Sequence, residues 1–419
     1  MANALGEMAA VHVDSSVLAA IAAGQGSPFY IADTEQLQSN LRALLESFRT
    51  YYPVTSVGYS YKTNYSPAFI RCAHNLGAYA EVVSRLELDL AIALGVPGSK
   101  IIFNGPIKTA DDLTLALRAG ARVNIDSLAE ARLMAKIARS SASELSLGIR
   151  CNLGPGTPGS RFGVDLDTAE GKDVIGTLDA CPNVRIRGLH CHYCGDRNAS
   201  GYRDRIRHMI RLHATALGGR HVEFFDIGGG FSSRMSPELA AQFTAPPSSF
   251  HDYAAAIAQE MASTYGATGP ELILEPGMGV LADTMTLVTR VQAVKRLQGR
   301  NLAVVDGSVF NIKPLRGSIN LPIVVVQGCS NPGAKVTMPV DVVGHTCMEV
   351  DVLHTGYAGA IGEGDWVIIP NVGAYTNVLN APFIRGTPAI VELRDRGNYG
   401  VLRRASTLDD LLATYRVDQ

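Results

Sequence analysis

Ser56-Val57-Gly58-Tyr59-Ser60-Tyr61, running straight into Lys62-Thr63-Asn64, is the first of eight short apolar runs whose recurrence decides how this chain folds. The others are Tyr79 to Val83, Ile101 to Asn104, Arg122 to Ile125, Leu145 to Cys151, Ile186 to Cys191, Phe224 to Ile227 and Leu272 to Glu275. Each leads into a polar or Gly-rich turn and then a helical pattern such as Asp111 to Arg118 or Leu128 to Ala138. Strands alternating with helices at this spacing belong to parallel sheets. Eight such units predict an α/β fold built on a closed (β/α)8 TIM-like barrel, with an open doubly wound sheet as the alternative.

Beyond Asp283 the rhythm changes. Met285 to Val294, Asn301 to Val305, Ile323 to Val326, Lys335 to Val343, Trp366 to Pro370 and Ile390 to Leu393 read as strands without long helices between them, which predicts a C-terminal antiparallel β domain. The helix-like Ser15 to Ala23 and the strand-like Pro28 to Ala32 are expected to join it from the other end of the chain. The implied division is an N-terminal segment over 1–34, a barrel over 35–283 and a β domain over 284–419.

Composition narrows the function. Of 419 residues 47% are hydrophobic and 18% charged, which excludes disorder as the main state. The 37 basic and 39 acidic residues leave a net charge of −2, so no overall field draws the chain to nucleic acid or to an anionic bilayer. A small-molecule partner is expected, with neither nucleic acid nor membrane. The seven cysteines are too few and odd in number for a disulfide scaffold, and Met1 to Val13 lacks a basic leader, so a reducing, cytoplasmic setting with free thiols is expected.

In such barrels reactive groups gather where strands end on the C-terminal face. There stands Lys62, whose amine in a desolvated mouth can form a Schiff base with a carbonyl, although a lone lysine is more often merely solvated. Asp226-Ile227-Gly228-Gly229-Gly230-Phe231 offers bare backbone amides to a phosphate, or simply a flexible turn. Glu275-Pro276-Gly277 puts a carboxylate in the same mouth, where it could hold a pyridine nitrogen protonated or serve as a helix cap. His190, His192 and Cys194 would share one strand face, a pattern compatible with metal ligation in a barrel hydrolase. A buried, hydrogen-bonded core histidine is the plainer account of His190.

In their order along the chain these pieces resemble the ornithine, diaminopimelate and arginine decarboxylase family, pyridoxal-phosphate enzymes of the alanine-racemase-like barrel class. The marks are Tyr61-Lys62-Thr63-Asn64, His190-Cys191-His192, the glycine run, Glu275-Pro276-Gly277, the stretch from Cys347 to Asp351, and Gly373-Ala374-Tyr375-Thr376. The resemblance implies that Lys62 tethers pyridoxal 5'-phosphate and shuttles protons, Glu275 pairs with the ring nitrogen, His192 stacks on the ring, Arg150 reaches the phenolic oxygen and Glu81 supports the ring edge. Phosphate would fall to Gly228, Gly229, Gly230, the backbone around Gly277 and the Tyr375 hydroxyl. Cys347 would enter the neighbouring subunit's site and protonate the carbanion, which makes a homodimer with shared sites. No metal is expected.

An acid facing the ring nitrogen suits a decarboxylase, whereas an arginine would suit a racemase. A racemase or epimerase is the alternative, and a non-catalytic cofactor-binding regulator would be expected to lack Lys62 or Cys347. Some positions depart from the family pattern. Met278 follows Gly277 where the family commonly has arginine, Met348 follows Cys347 where it commonly has an acid, and Lys313 stands in place of an arginine. With Lys313, Arg316, Met348, Asp351 and Asn380 as substrate groups, the expected substrate is an amino acid or conjugate with an anionic or amide-like far end, as in siderophore-like specialised metabolism. The basic run Arg203, Arg207 and Arg211 reads as a solvated helix face.

Overall fold

The computed structural model describes residues 13–312, 319–328, 335–337 and 339–416, apart from the side chain of residue 396. Its chain divides into two compact units: Leu37–Ser232 with Pro247–Val280, and Met1–Gln36 with Ser233–Pro246 and Leu281–Gln419. The segment Ser233–Pro246 thus leaves the barrel for the β unit. Paired hydrogen bonds between the Gln242 side chain and the Asn320 backbone, at 2.7 and 2.8 Å, tie it there.

The first unit is a closed barrel of eight parallel strands: β2 (Thr55–Ser60), β3 (Tyr79–Val82), β4 (Ile101–Phe103), β5 (Arg122–Ile125), β6 (Leu145–Arg150), β7 (Val184–His190), β8 (Phe224–Asp226) and β9 (Glu271–Leu274), with β9 returning to β2. They follow β1 (Phe29–Ala32), which belongs to the other unit. All eight sequence runs are strands, and the two named helical patterns are helices over Ala110–Ala119 and Leu128–Arg139. Their starts are written in the sequence: Ser84, Thr109, Ser127, Thr168, Asn198 and Ser249 each cap a helix by accepting a backbone N–H. Inside the barrel Tyr79, Ile102, Phe224 and Ile273 pack together. Gly188 makes room for them, since a Cβ there would come within 2.5 Å of the Phe224 ring. Arg122 lies over that ring at 4.4 Å and pairs with Glu271 at 3.3 Å. The lower barrel is therefore filled, and open chemistry is left to the strand ends.

The second unit is a mixed sheet. The long β10 (Met285–Leu297) pairs antiparallel with β1, β11 (Arg300–Val305) and β17 (Trp366–Ile369). β12 (Val324–Val326) joins β17, a small pair joins β13 (Lys335–Val336) to β16 (Ile361–Gly362), and β14 (Val340–Val343) carries β15 (Val352–Tyr357). β1 runs parallel to β18 (Ala389–Leu393), whose outer neighbour is β19 (Tyr399–Arg403), and β11 runs parallel to β14, so the expected antiparallel domain contains two parallel pairings. Helix Ser15–Gln25 packs Leu18 and Ile21 against Phe29, Ile31, Val288, Trp366, Ile368 and Val391. No helix among the described residues is long and apolar enough to cross a membrane.

Candidate active site

Lys62 sits one turn beyond β2, where Tyr61 donates its N–H to the Glu81 carbonyl and Thr63 its N–H to the Ser60 carbonyl. Its amine, on a side chain 27% exposed, is ion-paired with the Glu81 carboxylate, which is fully buried at the end of β3. Asn104 follows β4. Its Nδ2 donates to Glu81 Oε1 at 3.1 Å and to Glu275 Oε1 at 2.6 Å, while its Oδ1 accepts from Asn124 Nδ2 at 2.7 Å. Glu275, just past β9, has its other oxygen 3.4 Å from His190 Nε2 and 3.9 Å from His192 Nδ1. The ends of β2, β3, β4, β7 and β9 thus bring Lys62, Glu81, Asn104, His190 and Glu275 into one array.

Burial opposes ionisation of Glu275, but the His190 hydrogen bond and the Lys62 amine outweigh it and hold the carboxyl well below its ordinary range. Asp226 goes the other way: burial first, then the Glu275 charge, push its carboxyl far up. Burial and then Lys62 push His192 down to about 3. A neutral His192 agrees with its bonding, since Nδ1 accepts the Gly229 N–H at 2.9 Å, which leaves Nε2–H to donate to Cys194 Sγ at 3.1 Å.

The glycine run is put to more than one use. Gly228 donates its N–H to Asp226 Oδ1 at 2.9 Å, and Gly229 donates to His192. Among the described residues only Gly230 of the three has an N–H without a partner inside the protein. Close approach explains the rest: a Cβ on Gly229 would lie 2.1 Å from the Glu275 carbonyl oxygen, and Gly228 and Gly230 have φ of 71° and 99°. The expected three-amide cradle is therefore corrected to a narrower one. Near Gly277 the Thr63 hydroxyl is buried without a hydrogen-bond partner, and a Cβ on Gly277 would come within 2.5 Å of it.

Arg150 ends β6 with Nη1 3.1 Å from Asp126 Oδ1, and its guanidinium lies 4.5 Å over the Phe162 ring. Further round, buried Lys108 pairs with Glu130 at 2.9 Å, and Glu130 accepts the Asp126 N–H at 2.7 Å. The metal alternative fails as drawn: β7 stops at His190, so His192 and Cys194 lie on a loop and share no strand face with it, and Cys194 is exposed. Arg207 pairs with Glu260 and Arg211 with Asp167, which neutralises that helix face.

In the β unit, Cys347 is exposed on the loop between β14 and β15, with Met348 half-buried beside it. Asp351 does not present itself to a substrate. It is 3% exposed, and it accepts from the Ser308 hydroxyl at 3.0 Å, Val309 N–H at 2.6 Å and Thr346 N–H at 2.9 Å, so it shapes the Cys347 loop. Tyr375 opens the short helix Thr376–Leu379 with φ of 65°. Asn380 lines a cleft with Pro28, Ser308, His345, Arg385 and Ser406, and donates to the Tyr30 hydroxyl at 3.4 Å. Lys313 and Arg316 lie outside the described residues.

Sequence reasoning passed over Asn104 and gave Asp226 no part. Both end barrel strands, which was the available signal. His190 is buried as the plainer reading held, yet its partner is the site carboxylate rather than the core.

A lysine amine at the mouth, an anionic carboxylate beneath it, a neutral histidine on a glycine loop and an orphaned hydroxyl by a second glycine turn form a donor set that fits pyridoxal phosphate. Residues 38–282 match the family described as "Pyridoxal-dependent decarboxylase, pyridoxal binding domain". The chain is 30% identical over 408 residues to a diaminopimelate decarboxylase of Actinosynnema pretiosum, covering 94% of this chain and 89% of that one. A diaminopimelate decarboxylase of Methanothermobacter thermautotrophicus is 29% identical, covering 92% and 91%. The crystal structure of the diaminopimelate decarboxylase from M. jannaschii superposes with a TM-score of 0.83 at 25% identity, covering 95% and 94%. With the barrel, the site and these relatives in agreement, the chain belongs to the pyridoxal-dependent decarboxylases and is an amino-acid carboxy-lyase whose cofactor is pyridoxal phosphate.

Proposed function

We propose that this enzyme removes the α-carboxylate of an amino acid whose far end is anionic or amide-like, using Lys62 to hold the cofactor and Cys347 to deliver the final proton. Bound pyridoxal phosphate supplies an electron sink for the pair left at Cα as carbon dioxide departs. Glu275, held anionic, would pair with the ring nitrogen and keep the proton there. Glu81, ion-paired with Lys62, keeps that side chain at the barrel mouth. His192, neutral and fixed at both nitrogens, would offer its ring face to the cofactor, and Arg150, anchored by Asp126, would meet its phenolic oxygen. Gly230 and the Gly277 turn would take the phosphate, a role the family pattern also gives to Tyr375. Exposed Cys347 serves a partner's site in a homodimer, and Asp351 sets the loop that carries it.

The observation that carries this reading is the buried array from Lys62 through Glu81 and Asn104 to Glu275. Borohydride reduction and peptide mapping should find the cofactor on Lys62, and Lys62→Ala should lose both the adduct and carbon dioxide release. An adduct elsewhere sinks the assignment. Cys347→Ala should retain cofactor and lose about 10²-fold or more in kcat.

The substrate reading is supported by Met278 and Met348, which leave the diaminopimelate and diamine clamps of the family pattern incomplete, and by Lys313 and Arg316 in the sequence, whose charge suits an anionic far end. A conjugated amino acid from specialised metabolism, siderophore-like in character, answers that description. A second reading takes the substrate in the relatives' names, diaminopimelate, favoured by similarity along 94% of the chain. Carbon dioxide release from diaminopimelate, lysine, ornithine and carboxylate-bearing conjugates separates the two. Rapid turnover of free lysine or ornithine defeats the first.

A further inference from the structure

Glu275 and Glu81 are both completely buried, and one neutral side chain stands between them. The Asn104 amide gives one hydrogen bond to each, at 2.6 and 3.1 Å. Its orientation is fixed from behind. Asn124 Nδ2 donates to Asn104 Oδ1 at 2.7 Å, so the amide cannot turn over without facing its oxygen to two carboxylates and its nitrogen to another donor. The backbone is fixed as well, because Asn104 N–H donates to the Val82 carbonyl at 2.8 Å. Behind Asn124 stands Gly148, where a Cβ would lie 1.8 Å from Asn124 Oδ1. The two amides thus form a ladder from β5 to the site. Its last rung does not titrate, so the spacing of the carboxylates is held whatever the charge on Lys62, His190, His192 or Asp226 around them.

We propose that Asn104 is a positioning residue for decarboxylation, whose amide sets Glu275 against the cofactor's ring nitrogen and Glu81 against the Lys62 amine as one unit. The inference rests on the roles given to Lys62 and Glu275 above. A hydrogen bond given to Glu275 lowers its basicity, which favours leaving the shared proton on the ring. Asn104 acts through these two acids and touches no reacting atom in this account.

The test uses the holoenzyme and the variants Asn104→Ser, Asn104→Leu and Asn104→Asp. It compares kcat and KM for carbon dioxide release, the pH titration of the bound cofactor's visible absorbance, borohydride labelling of Lys62, and the melting temperature. Asn104→Ser, which keeps a small donor, and Asn104→Leu, which keeps none, should lower kcat about 10- and 100-fold with KM changed less than about threefold. The absorbance titration should move in both. Asn104→Asp, which adds a third carboxylate, should move its midpoint upward by about one pH unit. Unchanged kcat and absorbance titration in Asn104→Ser and Asn104→Leu overturn the proposal. So does a fall in melting temperature with kcat per folded molecule preserved, because that is how a merely structural amide behaves. Failure to label Lys62 in the unsubstituted enzyme is a different result and defeats the proposed function itself.

Discussion

Glu87 shows how a single buried acid near the site records its surroundings. It stands in the first turn of helix Arg85–Ala93 and accepts the Val83 N–H at 2.7 Å. Burial pushes its carboxyl up to about 7, against the help of that N–H and with the Glu81 charge adding to the rise. A carboxyl raised on folding stabilises the fold below its unfolded pKa and loses that contribution as pH climbs to the folded value. The window here runs from about 4.5 to about 7, and the loss is at most about 3 kcal/mol. Glu87→Gln keeps the acceptor and removes the titration, so it should match the parent near pH 4 and melt a few degrees higher above pH 7. Equal melting curves at pH 8 would contradict this. Lys62 and Glu275 stood out because lysine and glutamate are unusual at barrel strand ends, and the structure joins them in one array through Glu81 and Asn104; Cys347 stands on the order of motifs alone. Asn104 was not legible, since an asparagine after a strand is ordinary turn material until its two partners are seen. Asp351 misled for the opposite reason: an acid beside a reactive cysteine invites a substrate role, and its three internal donors show only in three dimensions.

Among the elements, the barrel strands were readable nearly to the residue because both faces are buried, which leaves continuous apolar runs between turns. The β unit was harder. β15 and β19 escaped notice, as Val352–Tyr357 and Tyr399–Arg403 mix polar and apolar residues on partly exposed outer strands of the sheet. The parallel pairings of β1 with β18 and of β11 with β14 join segments far apart in the chain, and local pattern carries no record of them. The turn after β8 makes its own prediction. Gly229→Ala would drive a methyl against the Glu275 carbonyl, backbone that cannot swing aside. It should therefore displace His192 and Glu275 together and weaken cofactor retention about tenfold or more, read by the absorbance remaining after dialysis. Gly188→Ala, aimed instead at the Phe224 ring in the filled lower barrel, should cost stability of about 1–3 kcal/mol while cofactor retention stays near the parent's.

For the whole molecule, the informative strand is β1, which lies between β10 and β18 and brings Phe29 and Ile31 into the core of the β unit. Deleting residues 13–33 removes an inner strand of that sheet and the helix that covers it. The truncated chain should fail to accumulate as folded protein, judged by circular dichroism and gel filtration; a well-folded product would mean that the sheet forms without β1. The arrangement also sets a timetable for the growing polypeptide. β1 is made first, but both of its neighbours leave the ribosome only after all eight barrel strands have been synthesised. A nascent chain therefore carries Phe29–Ala32 as an unpaired apolar strand while the barrel strands are synthesised, and shielding of that strand during translation is what this topology calls for.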